Sequence, residues 1–109
     1  MLASLFGSEN AERVLVFLLI RENGYPSEIA KFYSVSLSVI QKQLTKFELA
    51  GILVSQRVGR SLVYSFNPRY AFLTELKALL NKALEFYPLA EKERLEFNRR
   101  RPRRSNKPL

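Results

Sequence analysis

Ser38 and Lys42 stand four residues apart in the run Ser36–Gly51, S-L-S-V-I-Q-K-Q-L-T-K-F-E-L-A-G, with Gln41 beside the lysine and Thr45 and Lys46 one turn further on. A serine and a lysine at that spacing share one face of a helix, so a Ser–Lys nucleophile and base is the first chemistry to weigh. Nothing else in the chain supports it. There is no histidine, cysteine or aspartate, and all ten acids are glutamate. The commonest general base, the thiolate nucleophile and the usual zinc ligands are therefore missing, and no glycine-rich phosphate loop replaces them. Serines and lysines on one exposed helix face are commonplace. The chain is expected not to be an enzyme, and to use no cofactor and no metal. What remains is a face of donors and cations. Glutamine can pair with adenine and lysine with guanine in the major groove. Hydroxyls and further ammonium groups can hold phosphates, which position a protein on a duplex without reading its sequence.

Such a face needs a helix beneath it. Ser36 is placed to cap the helix, its hydroxyl accepting from a first-turn amide. Gly51 is placed to end it in the left-handed conformation. Leu37, Ile40, Leu44 and Phe47 recur at helical spacing and are predicted to face a core. Ser38, Gln41, Lys42, Thr45 and Lys46 fall mostly opposite, with no acid among them before Glu48. Val39 either touches a thymine methyl or packs inward. An ordinary solvated amphipathic helix has the same pattern, so the flanking elements decide between the two.

Upstream, Leu2–Phe6 is a short apolar lead-in and Ser8 can cap a helix over Glu9–Arg21. Its apolar face is broad enough that the helix is buried on more than one side, either centrally in the domain or against a partner chain. Glu22-Asn23-Gly24 reads as a turn. Tyr25-Pro26 reads as extended, because proline biases the residue before it away from helix. Ser27 then starts a brief helix, Glu28–Tyr33, with Ile29, Ala30 and Phe32 inward, and Tyr33–Val35 is a tight link. A short helix, a turn of about three residues and a longer helix with a polar face make a helix-turn-helix. Downstream, two alternating runs, Leu53–Val58 and Leu62–Phe66, flank Gly59-Arg60-Ser61 and predict a β-hairpin. Asn67-Pro68 closes it. From Tyr70 a second long helical pattern runs to Tyr87, where Pro88 ends or kinks it, and Leu89–Asn98 can continue helically. This helix carries two apolar stripes, the second through Phe72, Leu79 and Phe86. That second stripe and the apolar first helix call for a cover, which an isologous homodimer supplies.

The 109 residues carry 18 Lys+Arg against 10 Asp+Glu, a net charge of +8. The excess sits at one end. Residues 99–109 hold six bases and no acid, leaving twelve bases and ten acids elsewhere. The body is thus nearly balanced, and the tail, from Arg99, Arg100 and Arg101 onward, is expected to be disordered when free and to serve as a phosphate-tracking arm or a solubilising end. The longest apolar run, Val14–Ile20, is too short for a bilayer, and Met1–Phe6 lacks the basic start of a signal peptide. An intracellular, cytoplasmic chain with no membrane partner is the expectation.

The stretch Val35–Leu53 resembles the recognition-helix signature of ArsR-type winged helix-turn-helix regulators. A small polar cap, Ser36, is followed by the aliphatic-polar-basic triplet Ile40-Gln41-Lys42, then Leu44, the second basic residue Lys46, and the exit Phe47-Glu48-Leu49-Ala50-Gly51-Ile52. The likeness covers about residues 3–67, including the Leu5-Phe6-Gly7-Ser8 opening. The chain is also similar to small winged-helix proteins that accompany nucleotidyltransferase domains, in Asn67-Pro68 followed by residues 72–84, though no nucleotidyltransferase motif is present. Metal-sensing ArsR members use Cys, His or carboxylate clusters, and the likeness does not extend to that function.

The resemblance implies a mainly α fold with a hairpin wing and a C-terminal dimerisation helix: residues 1–68 a winged helix-turn-helix domain, 69–98 a helical dimerisation segment, 99–109 a basic tail. It implies a DNA-binding transcriptional repressor, with residues 37–50 in the major groove of double-stranded DNA. Ser38, Gln41 and Lys42 would read bases. Ser36, Thr45 and Lys46 would meet phosphates, and Arg57, Arg60 and Ser61 on the wing would reach the backbone or minor groove. A module that binds a separately encoded nucleotidyltransferase or toxin is the alternative.

Overall fold

The computed structural model describes residues 1–96. A single helical turn, α1 (Ala3–Phe6), precedes α2 (Glu9–Arg21), α3 (Pro26–Tyr33) and α4 (Leu37–Leu49). Strands β1 (Leu53–Val58) and β2 (Ser61–Phe66) follow, then α5 (Leu73–Leu84). Residues 89–96 form a last helical stretch, here α6. The strands pair antiparallel in the register Leu53↔Phe66 to Val58↔Ser61, so only Gly59 and Arg60 make the turn. Gly59 takes a left-handed φ of 64°, the conformation that such a tight hairpin turn requires. The chain is a winged helix-turn-helix: α3 and α4 are the helix pair and β1–β2 the wing.

The centre of the fold is α2. Ala11, Val14, Leu15, Val16, Phe17 and Leu18 are all completely buried. Ile29 and Ala30 of α3, Ile40, Leu44 and Phe47 of α4, Leu53, Tyr64 and Phe66 of the wing, Leu80 of α5 and Leu95 of α6 complete one cluster around it. The apolar residues of α2 from Val14 to Leu18 are therefore covered by their own chain, with Leu19 and Ile20 half-buried against the same cluster.

Helix ends differ from the sequence expectation where local signals compete. Ser8 caps α2 as expected, accepting from the Ala11 amide at 3.0 Å. The next helix, however, begins at Pro26 rather than after Ser27. Proline stands at the first helical position, where its missing N–H costs nothing, and Glu28 accepts from the Tyr25 amide at 3.2 Å. The long helix predicted over 70–87 is shortened at both ends. Asn67 accepts from the Arg69 and Tyr70 amides and holds that segment as turns. After Leu84, the amides of Glu85, Phe86 and Tyr87 bond three residues back, and the helix closes ahead of Pro88.

Gly24 is more than a turn residue. It exchanges two backbone hydrogen bonds with Tyr64, at 3.0 and 2.9 Å, and so pins the wing to the α2–α3 connection. A Cβ at this position would lie 2.8 Å from Cε1 of the buried Phe17 ring. Gly24→Ala should therefore cost about 1–3 kcal/mol, the usual penalty of overpacking a ring that cannot retreat. Urea denaturation measures it; a loss under a few tenths of a kcal/mol would show that the ring has room to move.

The core also takes in the carboxylate of Glu12. Glu12 is 3% exposed. Its carboxylate accepts from the Leu2 amide at 2.7 Å, the Tyr87 hydroxyl at 2.5 Å and the Met1 amino group at 3.2 Å. Burial pushes its pKa up, but these three donors together hold it below its ordinary value. A depressed carboxylate pKa stabilises the fold above the unfolded value and loses that contribution as pH falls through the folded one. Glu12→Gln should therefore lower stability at neutral pH and flatten its decline below about pH 4.5. Thermal melts across pH 2.5–7, taken as roughly the span of carboxylate titration, test this, and parallel curves for the two proteins would exclude it.

Candidate nucleic-acid interface

On α4 the structure separates the two faces. Ile40, Gln43, Leu44 and Phe47 are buried. Ser36, Ser38, Gln41, Lys42, Thr45 and Lys46 are all exposed, and Val39 is half-buried. Leu37 departs from the expected core face: it is 44% exposed, because the first turn of α4 projects beyond the core that Ile40 begins. Ser36 occupies the N-cap with extended backbone, but its hydroxyl makes no cap bond. It lies 3.3 Å from the Ser38 hydroxyl instead. The first turn carries no acid either, so the positive end of the α4 dipole keeps its capacity for an anion. At the other end Gly51 takes φ 80°, as expected of a helix-ending glycine.

Lys46 is anchored as well as exposed. Its ammonium donates to the Phe6 carbonyl at 3.0 Å and lies 4.9 Å from the centre of the Phe47 ring. The contact ties the C-terminal end of α1 to α4 and uses one of the three ammonium donors. Lys42 and Gln41 have no such tether and extend from the middle of the face.

The wing places Arg57, Arg60 and Ser61 at its exposed end, with Arg60 in the turn itself. Two polar clasps fix it against α4. Ser55 on β1 donates to the Glu48 carboxylate at 2.7 Å. Burial first, and then the charge and hydrogen bond of the same carboxylate, push the Tyr64 hydroxyl pKa up. At the wing base Asn67 donates its side-chain amide to the Gly51 carbonyl at 2.9 Å and its backbone amide to the Ile52 carbonyl at 2.9 Å. Glu48, Ser55, Tyr64 and Asn67 thus set the angle between helix and wing, and the sequence did not single them out for it. Only the Phe47-Glu48-Leu49-Ala50-Gly51 exit hinted at Glu48. Arg99, Arg100 and Arg101 lie outside the described residues.

Among the described residues, no cluster of His, Cys, Asp or Glu could hold a metal ion, and no helix is long and apolar enough to cross a membrane.

No protein-family model matches the chain, and no curated protein matches it. Solved structures do. A double mutant of ZitR from Lactococcus lactis in apo form superposes with a TM-score of 0.55 at 18% identity, covering 78% of this chain and 73% of that one. Two further ZitR structures match over 64% and 61% of that chain, just under two thirds of its length. The adhesin competence repressor AdcR from Streptococcus pyogenes gives 0.52 at 13% identity, covering 82% and 74%. The transcriptional regulator BldR from Sulfolobus solfataricus gives 0.53 at 21% identity, covering 94% and 79%. At these identities the likeness establishes the winged-helix fold that such regulators share, and it does not single out the ArsR type.

Proposed function

We propose that this chain is a sequence-specific double-stranded-DNA-binding transcriptional regulator, a repressor of the ArsR-like kind without metal sensing, that acts as a cytoplasmic homodimer. The observation that carries the proposal is the α4 face. Ser38, Gln41, Lys42 and Thr45 are exposed together on a helix whose other side is locked into the core. No acid interrupts that face, and a clasped wing ends in Arg57 and Arg60 beside it. Helix α4 enters the major groove, with Gln41, Lys42 and Ser38 at base edges. Ser36, Thr45 and Lys46 hold phosphates, and Arg57, Arg60 and Ser61 meet the flanking backbone. Residues 1–68 bind DNA, 69–98 join the two copies, and Arg99, Arg100 and Arg101 begin an arm that adds affinity without adding specificity. Two copies place two recognition helices about one DNA turn apart, so the operator is an inverted repeat. Repressor and regulator are what the structural neighbours AdcR and BldR are called, which supports the choice.

Fluorescence anisotropy against two duplexes at several salt concentrations tests the proposal. One duplex is the DNA upstream of the gene and the other a scrambled sequence. A preference of about a thousandfold is expected. Equal, steeply salt-dependent binding to both would mean that charge alone binds, chiefly through the tail. No binding to either at moderate salt would transfer the function to a protein partner.

A further inference from the structure

We propose that Leu37 is a specificity-determining residue that reads the C5 methyl group of a thymine in the major groove. The inference rests on the DNA-binding function proposed above and adds an apolar contact to the polar ones. Leu37 opens α4, is 44% exposed and lies outside the apolar cluster that Ile40, Leu44 and Phe47 join. A single exposed leucine is ordinary on a protein surface, and its place is what gives this one meaning. Ser36 and Ser38 flank it, both exposed, with their hydroxyls 3.3 Å from each other. Gln41 stands one turn further on, on the same side of the helix. In a helix-turn-helix the first residues of the second helix are those that reach base edges. The Cα–Cβ bonds of a helix tilt towards its N-terminus, so the Leu37 side chain is carried further that way, off the core. Val39, the other apolar residue of this turn, is half-buried.

The chemistry of the side chain selects its partner. Leucine has neither donor nor acceptor, so a phosphate offers it nothing, and neither do the hydrogen-bonding edges of adenine, guanine and cytosine. Thymine alone presents an apolar group in the major groove, the C5 methyl beside its O4 acceptor. Covering that methyl with leucine removes apolar surface of both from water. Residues 36–39 include no cation and no acid, so no strongly hydrated side chain of that turn holds water against the contact. The spacing also sets a register. Leu37 and Gln41 are four residues apart, about 6 Å of helix axis, or roughly two base-pair steps of 3.4 Å where the helix follows the groove. The thymine should therefore lie within about two base pairs of the adenine that Gln41 pairs with.

Deoxyuridine pairs as thymine does and lacks only the methyl group, so it isolates the contact. The full-length protein is titrated by fluorescence anisotropy with its preferred duplex, in which each thymine is replaced in turn. At one thymine per bound copy the replacement should weaken the parent about fourfold, the worth of one buried methyl group at about 0.8 kcal/mol. Leu37→Ala should weaken binding to the thymine duplex by a similar factor and should be indifferent to that same replacement. Val39→Ala should keep the parent's sensitivity. Leu37 is outside the core, so Leu37→Ala should melt with the parent, and a merely structural role would leave the sensitivity to the methyl unchanged. Equal sensitivity of the parent and Leu37→Ala at every thymine would overturn the inference. So would a parent indifferent to all of them, a sensitivity lost in Val39→Ala instead, or a coupled thymine more than about four base pairs from the position that Gln41→Ala relaxes. In each of these cases the preference for the duplex stands, and the DNA-binding function with it. A protein that prefers no duplex sinks that function, and this contact along with it.

Discussion

Replacing Gln41 and Lys42 together by alanine should weaken binding to the preferred duplex by roughly 2–6 kcal/mol, since each good bidentate base contact discriminates by about 1–3 kcal/mol. Binding to a scrambled duplex should change far less. Only one positive charge is removed, so the slope of log affinity against log salt should fall by about one at most. The fold should not suffer. Both side chains are exposed at the centre of α4, and alanine is the best helix former. Melting temperatures of the variant and the parent should therefore agree. Anisotropy on both duplexes distinguishes the outcomes. A selective loss on the preferred duplex identifies base-reading residues. An equal loss on both would reduce Lys42 to a phosphate contact, and no loss on either would make this face a solvated helix surface. The single variants add a finer test. If the two residues read neighbouring bases independently, their losses should sum, whereas residues that share one base should not add.

The parts of this fold that could be read in sequence are those set by local rules. The 3.6-residue period of Ile40, Leu44 and Phe47 put α4 in its place, and all three are buried. Gly51 and Gly59 ended a helix and turned a hairpin through their positive φ. What could not be read came from contacts distant along the chain. The reason for Gly24 is a ring seven residues back and a strand forty residues on. The Ser55–Glu48 clasp joins a strand to the helix before it, and neither residue is unusual where it stands. Lys46 looked like a free cation because nothing in its own helix shows that Phe6 presents a carbonyl to it. Pro26 misled for a different reason. Proline both excludes helix before it and favours helix after it, and at the start of α3 the second effect decides the boundary. The apolar α2 allowed a central or an intermolecular position, and only the packing of α3, α4, the wing and α5 around it selects the first.

Phe17→Ala should be the most damaging single change to the fold, costing about 3–5 kcal/mol. That is a large share of the roughly 5–15 kcal/mol that holds a domain together. Phe17 is wholly buried, and it is where the helix-turn-helix is attached to α2. Its ring meets Phe32 edge-on at 5.6 Å and Tyr33 at 6.4 Å, both on α3. The Arg21 guanidinium stacks 4.5 Å from the same ring and 4.9 Å from Phe32. Arg21 also donates to the Leu95 carbonyl at 3.1 Å, so the ring supports the docking of α6 as well. On its far side the ring fills the space that Gly24 leaves, next to the bridge that holds Tyr64 and the wing. Alanine would open a cavity among α2, α3 and the wing base, and would strip the stacked guanidinium of its apolar cover. Phe17→Leu keeps most of the volume and should cost about 1–2 kcal/mol, less than the alanine variant. Calorimetry or urea denaturation of both variants gives the order. Because α3 rests on this ring and Gly24, which is bridged to the wing, lies against it, the alanine variant should lose duplex affinity at temperatures below its melting transition, while Gln41 and Lys42 remain intact. Full duplex affinity in a chain destabilised by several kcal/mol would show that α4 keeps its aim without that support.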